Sequence, residues 1–324
     1  MTQSVSYKKV LITGASGFLG RHCIPLLLEA FDEVHSITNK TAPSLIGNVH
    51  WHRADLRHVA SVSKLISTIR PTHLLHLAWV TEHGQFWNSP ENVRWLNGSS
   101  QLVQSFAECG GRRVVTAGTC AEYGIHGSHC YEMHTPCSPT TLYGACKHAL
   151  RLAAQSVPGL SAAHSRIFHL YGPHEDTRRL TPSVIQSLIL GRRAACTHGE
   201  QVRDFMYVQD AAAAHVRLLQ SNVQGPVNVA SGHPITIKDF VSTIGRMLNR
   251  AEMIDFGAMQ SPAADSLVLT ADTTLLGDEI GFRRQYSLEQ GLSETIRWHQ
   301  TTRTALCPTL PPAPSVAATQ PVSF

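Results

Sequence analysis

Tyr143 and Lys147 stand one helical turn apart in the run Leu142-Tyr143-Gly144-Ala145-Cys146-Lys147, so on a helix their side chains share a face. A phenol ionises near ~10, and using it as an acid or base near neutrality calls for a shift of roughly 3 units, on the order of 4 kcal/mol. A neighbouring ammonium supplies part of that shift. Thr119 adds a hydroxyl where the apolar run Arg113-Val114-Val115-Thr116 ends. By itself a Tyr-x-x-x-Lys spacing also fits an ordinary exposed helix turn, so its meaning depends on what else the chain provides.

The chain also provides a glycine-rich turn. Thr13-Gly14-Ala15-Ser16-Gly17-Phe18-Leu19-Gly20 follows Lys8-Lys9-Val10-Leu11-Ile12, a buried strand by pattern, and precedes an apolar-periodic stretch through Leu26, Leu27 and Leu28. In such a strand, turn and helix, Gly14 and Gly17 let the backbone turn tightly and approach a phosphate. Gly20 removes a side chain where helix and strand pack, so a pyrophosphate meets the helix N-terminus. The spacing is G-x-x-G-x-x-G, not the commoner G-x-G-x-x-G.

Further segments join these in order: Ala54-Asp55-Leu56, His76-Leu77-Ala78, Gly118-Thr119-Cys120-Ala121-Glu122-Tyr123-Gly124, Tyr171-Gly172-Pro173, Arg203 to Asp210, and Val227-Asn228-Val229-Ala230-Ser231-Gly232. From about Lys8 to about Gln300 the chain resembles the extended short-chain dehydrogenase/reductases, the family of NAD(P)-dependent nucleotide-sugar epimerases, dehydratases and reductases. The resemblance implies an α/β fold, a Rossmann-like doubly wound parallel sheet with a smaller C-terminal substrate-binding lobe. It implies a cofactor domain over 1–170 and, over 171–300, a mainly substrate-binding lobe with segments returning to the sheet. Thr119 is then the hydroxyl on the sugar oxygen, Tyr143 the acid/base, and Lys147 the group that lowers the phenol and holds the nicotinamide ribose.

By the same resemblance the cofactor contacts are Gly14, Ser16, Gly17, Phe18, Leu19, Gly20, Thr38, Asn39, Lys40, Asp55, Leu56, Leu77, Ala78, Tyr143 and Lys147. Position 38 is where an NAD-preferring member carries an acid that binds the ribose hydroxyls and repels a 2′-phosphate. Thr38, Asn39 and Lys40 offer no carboxylate, and Lys40 can pair with a phosphate, so NADP(H) is favoured and NAD(H) stays possible. Arg203 resembles the arginine that forks onto the diphosphate, and Arg179 with Thr181 precedes a helix whose start can face the phosphates.

Departures from the family pattern narrow the reaction. The dehydratases carry an Asp-Glu pair after the catalytic threonine, where this chain has Cys120 and Ala121, which disfavours loss of water. The Cys and His that exchange protons in double epimerisation match Ala121 and Arg179. What remains is 4-keto reduction of an NDP-deoxyhexose, with a 4-epimerase as the alternative. A non-catalytic dinucleotide-binding regulator would have lost Thr119, Tyr143 or Lys147. Glu122 either joins the chemistry or caps backbone amides. Asn97 sits on the helix that backs the site in relatives.

At 324 residues, 43% hydrophobic and 15% charged, the chain has the composition of an ordinary globular protein. A formal charge of +4 with scattered basic residues argues against a nucleic-acid partner. No apolar run approaches a membrane span and no signal core precedes the first strand, so a cytoplasmic location is expected. Eight cysteines without a C-x-x-C pair suggest reduced thiols and no metal, and His126, His129, Cys130 and His134 follow no zinc spacing.

Strands are predicted near 8–13, 33–38, 49–52, 73–78, 112–117, 161–168, 202–207 and 227–229. Helices are predicted near 18–30, 58–69, 91–109, 140–156, 180–191 and 209–220, and another follows Thr236, which with Asp239 forms a capping box. Pro25 should disturb the first helix. The Pro-rich stretch 301–324 is expected to be disordered. Surplus apolar residues on the helices bearing Val93 to Phe106 and Leu142 to Ala153 suggest a homodimer, as in the resembling family.

Overall fold

Strands form where the chain carries short unbroken apolar runs, because a parallel sheet covered by helices on both faces has no solvent side. In the computed structural model, residues 7–39, 48–82, 84–124, 128–260 and 266–306 are described. The first half alternates β1 (Lys9–Thr13), α1 (Gly20–Ala30), β2 (Glu33–Thr38), β3 (Val49–Arg53), α2 (Val59–Ile69), β4 (His73–His76), α3 (Glu91–Glu108) and β5 (Arg113–Ala117). It continues through the short β6 (Ser128–Cys130), α4 (Leu142–Gln155), β7 (Ser161–Ile167) and β8 (His169–Tyr171). The second half runs α5 (Leu180–Ile189), β9 (Ala194–Cys196), β10 (Val202–Tyr207), α6 (Val208–Gln220), β11 (Gly225–Val229), β12 (Pro234–Thr236) and α7 (Ile237–Met247). It ends with β13 (Ile254–Phe256), β14 (Val268–Ala271) and α8 (Leu288–Leu306).

Seven strands make one sheet in the order β11-β7-β5-β4-β1-β2-β3, every neighbouring pair parallel. Alternate residues feed two cores. Val10, Ile12, Leu75 and Val115 pack with Ile24 and Leu27 of α1 and with the alanines of α6. Leu11, Leu74 and Val114 pack with α2 and α3 through Ile66, Leu102 and Phe106. The chain leaves β1 for β2 on one side, and β4 lies on the other, so the order reverses between β1 and β4. In doubly wound sheets the ligand crevice lies at such a switch point, outside the strands' C-terminal ends.

A second sheet has the order β12-β10-β14-β6, with β8 also pairing β10, and β13 with β9 forms a two-stranded piece. These sheets draw on both halves of the sequence: β6 pairs with β14, while β11 returns to the large sheet beside β7. Thr236 caps α7 by accepting the Asp239 amide at 3.0 Å, but its hydroxyl also donates to the Asp239 carboxylate, so the reciprocal half of a capping box is not formed. The first helix begins at Gly20, two residues later than predicted, and it continues through Pro25 in spite of the missing amide donor. Helix α8 runs to Leu306, so the predicted disordered tail begins as helix, and its remainder lies outside the described residues. Among the described residues no helix is long and apolar enough to cross a membrane.

Candidate functional site

The glycine turn closes on itself and on the end of β4. The Gly17 amide donates to the Gly14 carbonyl at 2.9 Å. Gly14 has φ +76°, and a Cβ there would lie 2.8 Å from the Ala78 amide nitrogen; at Gly20 one would lie 2.1 Å from the Gly14 oxygen. No side chain caps the start of α1, and its Arg21 and His22 amides donate to the Gly17 and Leu19 carbonyls at 3.3 and 3.1 Å. Thr13 Oγ1 accepts the Ala78 amide at 3.2 Å and meets His76 Nδ1 at 2.8 Å, whose other nitrogen meets Ser99 Oγ at 2.8 Å. His76 thus ties β1, β4 and α3 together, and burial, with Lys147 adding to it, pushes the imidazole down to about 3. It is a neutral structural histidine.

The residues expected to move the proton come from the turn after β5 and from α4. Thr119 follows β5 and accepts the Ala121 amide at 3.2 Å, while Glu122 Oε1 accepts the Thr119 amide at 3.0 Å. Thr141 caps α4 through the Gly144 amide at 3.1 Å. A Cβ on Gly144 would lie 2.7 Å from the Ala121 oxygen, so glycine next to Tyr143 is what lets α4 approach the Thr119 turn. Burial raises the Tyr143 phenol above its usual value; a hydrogen bond with Thr119 and the charge of Arg179 draw it back. Lys147 is 3% exposed, and burial pushes its ammonium down to about 7. Its Nζ donates to the Ala117 carbonyl at 2.7 Å and lies 4.2 Å from the centroid of the Trp79 ring. The ammonium expected to depress the phenol donates to a backbone oxygen while its Nζ lies 5.8 Å from the centroid of the Tyr143 ring, and the charge of Arg179, read from sequence as a substrate contact, also bears on the phenol.

Glu122 is fully buried. Its carboxylate meets His164 Nε2 at 2.8 Å, accepts Arg166 Nε at 3.3 Å and stands 3.6 Å from His148 Nδ1. Burial works against its ionisation, but His164, His148 and Arg166 together hold it well below the usual carboxylate range. Arg166 in turn donates to the Tyr123 hydroxyl, the Glu132 carbonyl and Cys137. Of the two readings of Glu122, the geometry favours the cap.

The residues expected on the substrate side come from the second half. Arg179 is the N-cap of α5. It bears electrostatically on Tyr143, on His169 of β8 and on Glu175. Arg203 is buried in β10, donates to the Val202 carbonyl, and bears on His169 and Cys120. Thr181 is buried in the first turn of α5. Asp204 accepts the Ser231 and Gly232 amides at 2.6 and 2.9 Å, a structural clamp.

At the far end of the crevice Thr38 is buried at the end of β2 and Asn39 is exposed. Lys40 lies outside the described residues. The Asp55 carboxylate is engaged by Arg57 at 2.7 Å and held at about 2 by it, and Leu56 is buried against Gly98. Of the histidine-rich loop, His126 lies outside the described residues, His129 meets Thr270 Oγ1 at 3.0 Å, Cys130 is buried in β6 and His134 is exposed. Asn97 is exposed. The buried asparagine of α3 is Asn92, which accepts Trp79 Nε1 at 2.8 Å and donates to the Phe86 carbonyl at 2.6 Å.

Sequence reasoning missed the aromatic wall. Phe86 and Trp87 present ring edges to Tyr143 at 4.9 and 5.8 Å, and Trp79 covers Lys147. The only available signal was the density of aromatics between Trp79 and Trp95, which carried no periodicity.

The NAD dependent epimerase/dehydratase family matches residues 10–230, well over half of the chain. The chain belongs to that family. As an NAD-dependent epimerase/dehydratase family member it is 24% identical over 326 residues to a UDP-glucose 4-epimerase of Rhizobium leguminosarum bv. trifolii, covering 90% of this chain and 97% of that protein. A solved UDP-N-acetylglucosamine 4-epimerase of Methanobrevibacter ruminantium superposes with TM-score 0.83 at 24% identity, covering 91% of this chain and 99% of that one. A dTDP-glucose 4,6-dehydratase of Streptomyces venezuelae with NAD bound superposes with TM-score 0.81 at 22% identity, covering 92% and 98%. Epimerase and dehydratase are thus nearly equally similar to this family member, and the choice between activities falls to its own residues. The crevice fits a dinucleotide: the glycine turn brings backbone where side chains would collide, and α1 begins without a side-chain cap.

Proposed function

We propose that the protein is an oxidoreductase of nucleotide-linked sugars that reduces the 4-keto group of an NDP-deoxyhexose with NADPH. One observation carries this reading. Tyr143 stands beside Thr119 with its proton retained by burial, and the turn that follows Thr119 offers no free carboxylate: positions 120 and 121 are Cys and Ala, and Glu122 is committed to its cap, His164 and Arg166. A phenol held neutral is in the form that protonates a developing alkoxide, whereas elimination of water needs an acid and a base of its own. A bound nicotinamide dinucleotide supplies the hydride.

The chain's residues divide the remaining work. Gly14, Ser16, Gly17, Phe18, Leu19 and Gly20 would hold the pyrophosphate, Asp55 and Leu56 the adenine, and Leu77 and Ala78 the floor of the site. Thr38, with no carboxylate, admits a 2′-phosphate. Thr119 orients the sugar oxygen, Tyr143 gives it the proton, and Lys147 holds the ribose. Arg179 and Arg203 take the substrate diphosphate.

The second reading is an NAD-dependent 4-epimerase, favoured by the named activity of the similar epimerases. An assay of cofactor oxidation over dTDP-, UDP-, GDP- and CDP-linked 4-keto sugars, with NADH and NADPH in parallel, separates the two. A reductase consumes NADPH in proportion to product. An epimerase interconverts sugars with no net cofactor consumption. A panel without turnover returns the protein to the regulator reading.

A homodimer through α3 and α4 belongs to the same proposal. Leu102, Val103, Phe106 and Leu150 are spent on the core, but Val93 and Leu152 remain 44% and 49% exposed. A pair of such faces forms an isologous four-helix interface that would buttress Tyr143 from outside.

A further inference from the structure

Glu175 is the one carboxylate, among the described residues, with a buried oxygen that lacks a hydrogen-bond partner: Oε2 is enclosed and the side chain is 6% exposed. A bare buried carboxyl oxygen destabilises a fold and is retained where something else satisfies it. A second cost sits next to it. His174 adopts φ +71°, a left-handed conformation uncommon outside glycine. The Pro173 carbonyl meets His22 Nε2 of α1 at 3.2 Å, and the His174 ring lies 4.7 Å from that of Trp298 in α8. These contacts hold His174 outward, at the surface, while the next side chain, Glu175, is buried. The same strap, a few residues on, carries Arg179, whose charge bears on both Glu175 and the Tyr143 phenol. His169, on which Arg179 also bears, has its own Nδ1 buried without a partner.

We propose that Glu175 is a binding contact of the cleft whose Oε2, unpartnered within the fold, hydrogen-bonds an oxygen of the diphosphate that Arg179 holds. The inference rests on the nucleotide-sugar reading above. Burial pushes the carboxyl up to about 8, with Arg179 opposing and Asp176 reinforcing the shift. The other ionisable groups around the strap are Arg21 and His22 of α1, which bear on His174, and Tyr143, His169 and Arg203 around Arg179. A neutral acid lies beside a dianion without repelling it, while an ionised one repels it. Diphosphate affinity should therefore fall as Glu175 ionises.

Calorimetric titration of the full chain with UDP, dTDP, GDP and CDP tests this. For whichever diphosphate binds, the wild type should weaken about tenfold between about pH 7 and about pH 9. Glu175→Gln, which keeps a donor but cannot ionise, should bind nearly as well at the lower pH and lose the dependence. Glu175→Leu should bind about tenfold more weakly at both, with thermal denaturation confirming that it folds; if it does not, the Gln comparison decides alone. An unchanged pH profile in Glu175→Gln, or full affinity in a folded Glu175→Leu, overturns the role of Glu175 and leaves the nucleotide-sugar reading intact. A wild type that binds none of the four diphosphates overturns both.

Discussion

Glu122 and Glu175 are both buried carboxylates on turns flanking the Tyr143 cleft, and their surroundings drive them in opposite directions. Glu122 caps the Thr119 turn and meets His164 and Arg166, so it is held ionised. Glu175 has one enclosed oxygen without a partner and is held protonated. Removal from water disfavours both anions alike; what differs is whether the chain supplies cations and donors in return. The completed network holds the Thr119 turn in place, and the incomplete one leaves an oxygen for the proposed ligand to satisfy.

The largest expected effect lies at the group between them. Tyr143→Phe should lower turnover by about 10²- to 10⁴-fold and leave cofactor affinity nearly unchanged, read by steady-state kinetics and cofactor titration. Unchanged turnover would remove the common centre of the comparison. Glu122→Ala leaves Arg166 buried without its counter-charge and should cost about 3–5 kcal/mol in thermal or denaturant unfolding. Glu175→Ala should cost far less, and equal losses would show that the two carboxylates do the same structural work.

The pH dependence of stability distinguishes them by sign. The ionised form of Glu122 is favoured in the fold, so its contribution is present above the unfolded carboxylate range and lost as pH falls through the lowered folded value. Glu175 is raised, so its contribution is present below the unfolded value and lost as pH rises towards about 8. Relative to wild type, Glu175→Gln should remove a fall in melting temperature between about pH 5 and pH 8. The smallest effect concerns the crevice's far end, where neither glutamate reaches: Thr38→Asp should shift preference from NADPH to NADH by about tenfold or more, measured as paired dissociation constants. Tighter NADH binding by the unmodified protein would count against NADP(H).

The large sheet was legible because its central strands carry the apolar runs Val10-Leu11-Ile12, Leu74-Leu75 and Val114-Val115 and its first turn carries its own glycines. The short strands β6, β8, β9, β12, β13 and β14 were not, since three or four residues hold too little pattern and their pairing partners lie far along the chain. Asn97 was singled out on α3 because relatives use such a position, yet helix phase buries Asn92. Glu122 could not be assigned from sequence because its partners, His164 and Arg166, come from β7, across a strand and a helix.

The sequence by itself determined the strand, glycine turn and helix, the Tyr143 and Lys147 spacing, and the lack of an acid at Thr38. Each of these is decided by residues within a turn or two of one another, where local geometry does not wait for the fold. Only the tertiary structure decided that Lys147 donates to a carbonyl while the charge of Arg179 bears on the phenol, and that one buried glutamate is satisfied and the other is not. Charge and burial act through space, and the cations and donors that set a pKa are brought together by sheet order and helix packing rather than by position in the chain.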